Sequence, residues 1–114
     1  MNEQNRLDAW YQVSWDDDAV YRSVAPPGGQ PWQDQFRWAD IVRICFAPGD
    51  FLSPDELYFF TRGRAESYLI PLEAAGAAAL WGRVIETGLF DADLAIRAAT
   101  ASSGIFCWPE LDDG

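Results

Sequence analysis

The chain has 114 residues, a net charge of −10, 49% hydrophobic side chains and 15% aromatic ones. That length suits one domain spanning residues 1–114, and the apolar content excludes disorder over most of it. Eighteen acidic residues face eight arginines with no lysine or histidine. Phosphate repels such a surface, which excludes nucleic acid and anionic membranes as partners, whereas a basic protein would be steered in.

Tyr11, Val13 and Trp15 share one face at a period of two, which favours a strand over residues 9–15, while Leu7, Trp10, Tyr11 and Ser14 also fit one helical turn. Asp16-Asp17-Asp18 breaks the run, and Ala19 to Val24 alternates again, giving a hairpin that closes over the aspartates. Residues 25–31 hold three prolines and two glycines and read as a loop. Trp32 stands at its end with no core face assigned to it. Phe36 and Trp38 follow at strand spacing. Residues 41–46 form the next strand, with Val42, Ile44 and Phe46 on one face and Ile41, Arg43 and Cys45 on the other. Pro48-Gly49-Asp50 ends it.

Residues 55–61 carry Leu57, Tyr58, Phe59 and Phe60, a pattern for a strand buried on both faces. Arg62-Gly63-Arg64 connects it tightly to a return strand over residues 67–70. At Pro71 the apolar period changes. Ala77, Leu80, Trp81 and Val84 align on a stripe, predicting a helix over 72–87 that stops at Gly88. Asp91 is placed to cap a second helix over 92–101, with Leu94, Ala95 and Ala98 inward. Residues 105–108 read as a last strand, and residues 1–6 and 109–114 as frayed ends. The fold class expected is α+β: an antiparallel sheet of five or more strands with two C-terminal helices.

The stretch Phe36-Arg37-Trp38-Ala39-Asp40-Ile41-Val42-Arg43-Ile44-Cys45-Phe46, with Asp55-Glu56-Leu57-Tyr58, Ile70-Pro71 and Gly88-Leu89-Phe90, resembles a group of small, uncharacterised bacterial proteins. Its Trp-x-Asp-Ile-x-x-Ile spacing also resembles bacterial pleckstrin-homology-like domains. That resemblance covers roughly residues 36 to 88 and implies a curved antiparallel sheet capped by a helix. It carries no activity with it.

The chemistry available is narrow. Without histidine the chain lacks the commonest general base and metal ligand, and without lysine it cannot form Schiff bases. Asp16-Asp17-Asp18 lacks the alternation of a calcium loop and reads as a solvated turn, and Gly28-Gly29 lacks a phosphate-binding pattern. Cys45 and Cys107 sit in apolar runs and read as buried, unpaired thiols of a cytoplasmic protein. No segment has the apolar length of a membrane span, and residues 1–10 do not resemble a signal peptide. The expectation is therefore no catalytic residue, no cofactor and no metal. Three residues are candidates for partner binding: Trp32 beside its stiff loop, and Arg62 and Arg64 at a hairpin tip. The function expected is a non-enzymatic protein-interaction module, an immunity-type inhibitor of a basic protein being one concrete form. The alternative is a small ligand-binding protein or carboxylate-based enzyme with a sheet-helix cleft.

Overall fold

A computed structural model describes residues 6–110. Of the frayed ends expected over residues 1–6 and 109–114, residues 1–5 and 111–114 lie outside the described residues. After one helical turn, α1 (Leu7–Trp10), the chain forms β1 (Tyr11–Trp15), β2 (Ala19–Val24) and β3 (Trp32–Arg37). A 3-10 turn at Trp38–Asp40 leads into β4 (Ile41–Ala47), β5 (Glu56–Thr61) and β6 (Tyr68–Pro71). Helices α2 (Ala77–Glu86) and α3 (Ala92–Thr100) follow, and β7 (Phe106–Trp108) returns to the sheet. The fold is α+β and its strand pairs are antiparallel.

The strands divide into two sheets where one was expected. Sheet A has three strands in the order β1-β2-β3, and sheet B four in the order β6-β5-β4-β7. The division falls at the 3-10 turn. Trp38 was expected to extend the strand containing Phe36, but its indole N–H donates to the Asp16 carbonyl (2.7 Å) and its backbone N–H to that of Asp18 (3.1 Å). Those bonds fold the chain back onto the first hairpin before β4 begins.

Between the sheets lies one core. Paired residues on antiparallel strands share a face, so Val20 and Phe36 of sheet A point the same way, as do Ile44, Leu57, Phe59 and Ile70 of sheet B. These six are all buried, and Phe36 meets Phe59 with ring centroids 5.2 Å apart. The helices close the same core through Leu80, Val84, Leu94 and Ala98, with Trp81 between Phe46 and Phe90. In β5 only alternate residues are fully buried. Tyr58 and Phe60, expected inside, stay partly exposed because the core shared with sheet A, α2 and α3 lies on the other face of sheet B.

The first helix after Pro71 starts five residues later than the period suggests. Ala75 is held instead by β1, donating to the Tyr11 carbonyl (2.9 Å) and accepting from Val13 (2.8 Å). Gly76 then turns with φ +86°, where a Cβ would overlap the Val13 carbonyl oxygen. The pairing with β1 and a left-handed residue together delay the helix. Asp91 caps α3 as its position suggests, accepting from Leu94 N–H at 3.0 Å.

Cys45 and Cys107 are not free thiols: they form a disulfide. They stand directly opposite each other on β4 and β7, with Cα atoms 4.0 Å apart. Apolar neighbours hide them from solvent but do not keep them apart, because the register of the last strand brings their side chains together. The expectation of a cytoplasmic location draws on unpaired thiols, and the bond removes that support. Closing a loop of this length, with the cysteines 62 residues apart, stabilises a fold by at most about 4 kcal/mol through the unfolded chain. Urea denaturation of Cys45→Ser/Cys107→Ser against the parent should therefore show a loss of about 2–4 kcal/mol. Iodoacetamide should label neither cysteine of the folded parent until a reductant is added.

Candidate functional site

Sheet A presents two rows of inward residues at the edge of the core. Tyr11, Val24 and Trp32 lie across one row, and Val13, Arg22 and Asp34 across the next. An arginine among apolar neighbours must satisfy its donors, and Arg22 is only 8% exposed. Its Nε and Nη2 bind both oxygens of the Asp34 carboxylate, the Nε contact at 2.8 Å. Its Nη1 donates to the Leu69 carbonyl (2.9 Å) and the Tyr11 hydroxyl (3.2 Å). The Tyr11 hydroxyl donates to the same Leu69 carbonyl. Leu69 lies on β6, the edge strand of sheet B, so side chains of sheet A satisfy an edge carbonyl of the other sheet. Burial pushes the Tyr11 phenol above the ordinary tyrosine range, against the pull of Arg22.

The flat faces of the guanidinium are also used. Arg22 lies 4.9 Å from the Trp32 ring centroid and 5.0 Å from that of Tyr68. Arg64 lies 3.9 Å from the Tyr68 ring, whose stacking partner is Phe36 at 4.5 Å. Two of the three candidate residues thus belong to one array of alternating cations and aromatic rings. Trp32 opens β3 rather than sitting in the loop, packs edge-on against Tyr11 at 6.5 Å, and keeps 43% of its surface exposed. Arg64 is exposed, and Gly63 before it turns with φ +79°. Arg62, also exposed, stands outside the array; its backbone N–H is tied to the Asp40 carbonyl at 2.8 Å.

Sequence reading missed Arg22 and Asp34. The signal was present: inward parity in β2 runs Val20, Arg22, Val24, and in β3 Trp32, Asp34, Phe36, so opposite charges share the apolar face. Only the hairpin register, not visible without the loop conformation, makes them partners.

The opposite face of sheet A forms a shallow groove of about 790 Å³, bounded by Gly76 and lined by Gln12, Ser14, Tyr21, Gln33 and Gln35. Its polar lining is amide and hydroxyl apart from the ion-paired Arg22 and Asp34, and Val13 and Ala75 add apolar surface. The one carboxylate reaching it, Asp34, is already bound by Arg22. Among the described residues no three acidic or thiol side chains gather as a metal site would require. The aspartate turn spends its charge on its own backbone. Asp16 accepts from the N–H groups of Asp18 and Ala19, both at 2.8 Å, and from the Tyr21 hydroxyl at 2.6 Å, which lowers its pKa.

Compared with known proteins, the chain matches no family model, no curated sequence and no solved structure.

The pair at the centre of the array gives an asymmetric expectation. The Asp34 side chain is about a third exposed, so Arg22→Met leaves a carboxylate that can reach water. Asp34→Ala leaves a buried cation with its Nε and Nη2 donors unpaired, at a cost of about 3–5 kcal/mol. Denaturation of both variants should show Asp34→Ala to be the more damaging; equal losses would mean that packing alone accounts for the pair. Trp32→Ala removes one cation–aromatic and one aromatic contact while leaving no cavity closed to solvent. Its loss should be about 1–2 kcal/mol, between the surface and core ranges. A loss of about 4 kcal/mol in the same denaturation experiment would assign Trp32 to the core instead.

Proposed function

We propose that this chain is a non-enzymatic protein-interaction module, an acidic inhibitor of a basic protein being its concrete form. The observation that carries this reading is Trp32, a large aromatic side chain half-exposed yet fixed on a strand by Arg22 and Tyr11. A rigid aromatic surface loses little freedom on binding, and tryptophan is enriched among residues that dominate interface energies. Arg64 and Arg62 offer forked donors for a carboxylate at the β5–β6 turn, within a surface otherwise dominated by acids. The net charge of −10 supports fast association with a basic partner and weakening by salt. A pleckstrin-homology-like fold is supported by the antiparallel sheets and a helix closing their core, while the second helix, α3, and β7 after it depart from that pattern.

The second reading, a small ligand-binding protein or carboxylate-based enzyme, draws on the groove of sheet A. Its amide and hydroxyl lining suits a neutral polar ligand better than acid–base chemistry. Affinity capture with tagged parent and Trp32→Ala chains, followed by titration of the purified complex, distinguishes the readings. A basic protein should be retained by the parent. Its affinity should fall by about 30-fold or more in Trp32→Ala, the scale of an interface hot spot. Retention of no protein, together with saturable binding of a neutral sugar or peptide in the groove, would favour the second reading.

A further inference from the structure

The connection between β4 and β5 holds two large apolar side chains out in solvent. Phe51 is 96% exposed and Leu52 81%. Each forgoes the stabilisation that burial would bring, which calls for an account of what they meet.

The tip that carries them is ordered by its own hydrogen bonds. Asp50 Oδ1 accepts from the N–H groups of Leu52 (2.8 Å) and Ser53 (2.9 Å), and the Asp50 N–H donates to the Ser53 carbonyl at 3.0 Å. One step further in, the Gly49 N–H donates to Asp55 Oδ1 at 2.7 Å. A side chain at Gly49 would overlap the carbonyl oxygens of Ser53 and Pro54. Pro48 and Pro54 fix φ on either side. Little conformational freedom is left for this segment to lose on binding.

Charge selects the occupant. Between Arg43 and Arg62 the chain carries Asp50, Asp55 and Glu56 and no cation. An anionic bilayer repels that segment, and two apolar side chains are too few to anchor it in a neutral one. A second copy would set −10 against −10. An apolar pocket with a lysine or arginine rim fits both the exposed pair and the acids behind it.

We infer that Phe51 and Leu52 form a preorganised plug for an apolar, basic-rimmed pocket on a protein partner. This rests on the reading of the chain as an interaction module and adds a contact at the end of β5 opposite Arg62 and Arg64.

The test places p-benzoyl-phenylalanine at position 51 of the full chain, with position 86 on α2 as control, and irradiates cells expressing either. The cross-linked protein is then purified and titrated against the unlabelled parent, Phe51→Ser/Leu52→Ser and Trp32→Ala. The expected result is an adduct at 51 and not at 86, mapping to an apolar pocket bordered by lysine or arginine. The double serine variant should bind at least roughly 100-fold more weakly while its thermal midpoint stays within a few degrees of the parent's. Raised salt should weaken the parent complex. The plug is overturned by an adduct between two copies of this chain, by a lipid adduct, by labelling no stronger than at 86, or by a double variant within about threefold of the parent. In that last case, weakening by Trp32→Ala would leave the interaction reading standing and move the contact to sheet A. Full affinity in both variants, or no protein partner at all, would end both.

Discussion

One guanidinium holds the two sheets in register. Arg22 is fixed on its own sheet by Asp34, reaches an edge carbonyl of the other sheet at Leu69, and lies beside Trp32 and Tyr68. Most sandwiches align their sheets by apolar interdigitation alone, which tolerates sliding. Here a directional set of donors meets one carbonyl, and that carbonyl can satisfy both Arg22 and Tyr11 in a single arrangement of the sheets. A buried ion pair adds little net stability compared with an apolar replacement, but a misplaced one is expensive. The pair therefore discriminates between packings more than it strengthens any of them. Asp34 has a second consequence. An inward charge on β3, an edge strand of sheet A, discourages another strand from adding there, so binding by strand addition is disfavoured at that edge.

Much of the fold can be read along the chain because its strongest signals are local. The period of two in β1 and β2, the aspartate turn, the change of period after Pro71 and the Asp91 cap each depend on a few neighbouring residues. What escaped reading depends on residues far apart in sequence. Ala75 pairs with β1 across more than sixty positions, and no local pattern says that a backbone pairing will outcompete helical propensity there. Burial of β5 on one face alone depends on where the helices pack, not on the composition of the strand. The cysteines illustrate the same limit: apolar flanks establish burial, whereas pairing depends on the register of β7 against β4.

The candidate binding residues divide in the same way. Trp32 stood out because a tryptophan beside a proline-rich loop has no evident core face, and the half-exposed position it takes reflects that. Its anchoring by Arg22 was not legible, since Arg22 is ten residues away on the neighbouring strand. Phe51 and Leu52 went unremarked because two apolar residues among turn formers read as a short hydrophobic interruption of a loop. Their significance lies in the hydrogen bonds of Asp50 and Asp55, which turn a loop into a rigid mount. The acids therefore serve two ends: some carboxylates close turns locally, and the remainder supply the long-range field.

The bond between Cys45 and Cys107 also divides the chain topologically. It makes residues 45–107 a covalent ring that contains β5, β6 and both helices. A single cut anywhere within that ring leaves every piece attached, so an exposed segment such as residues 50–53 can be nicked without releasing a fragment. Sheet A lies on an open arm outside the ring, and nothing covalent except the main chain through residues 38–44 tethers it. The two halves of the molecule thus differ in the kind of damage they withstand. The ring survives loss of a peptide bond, whereas the arm stays in place only while the core, the Ala75 pairing with β1 and the Tyr11 and Arg22 contacts hold it there.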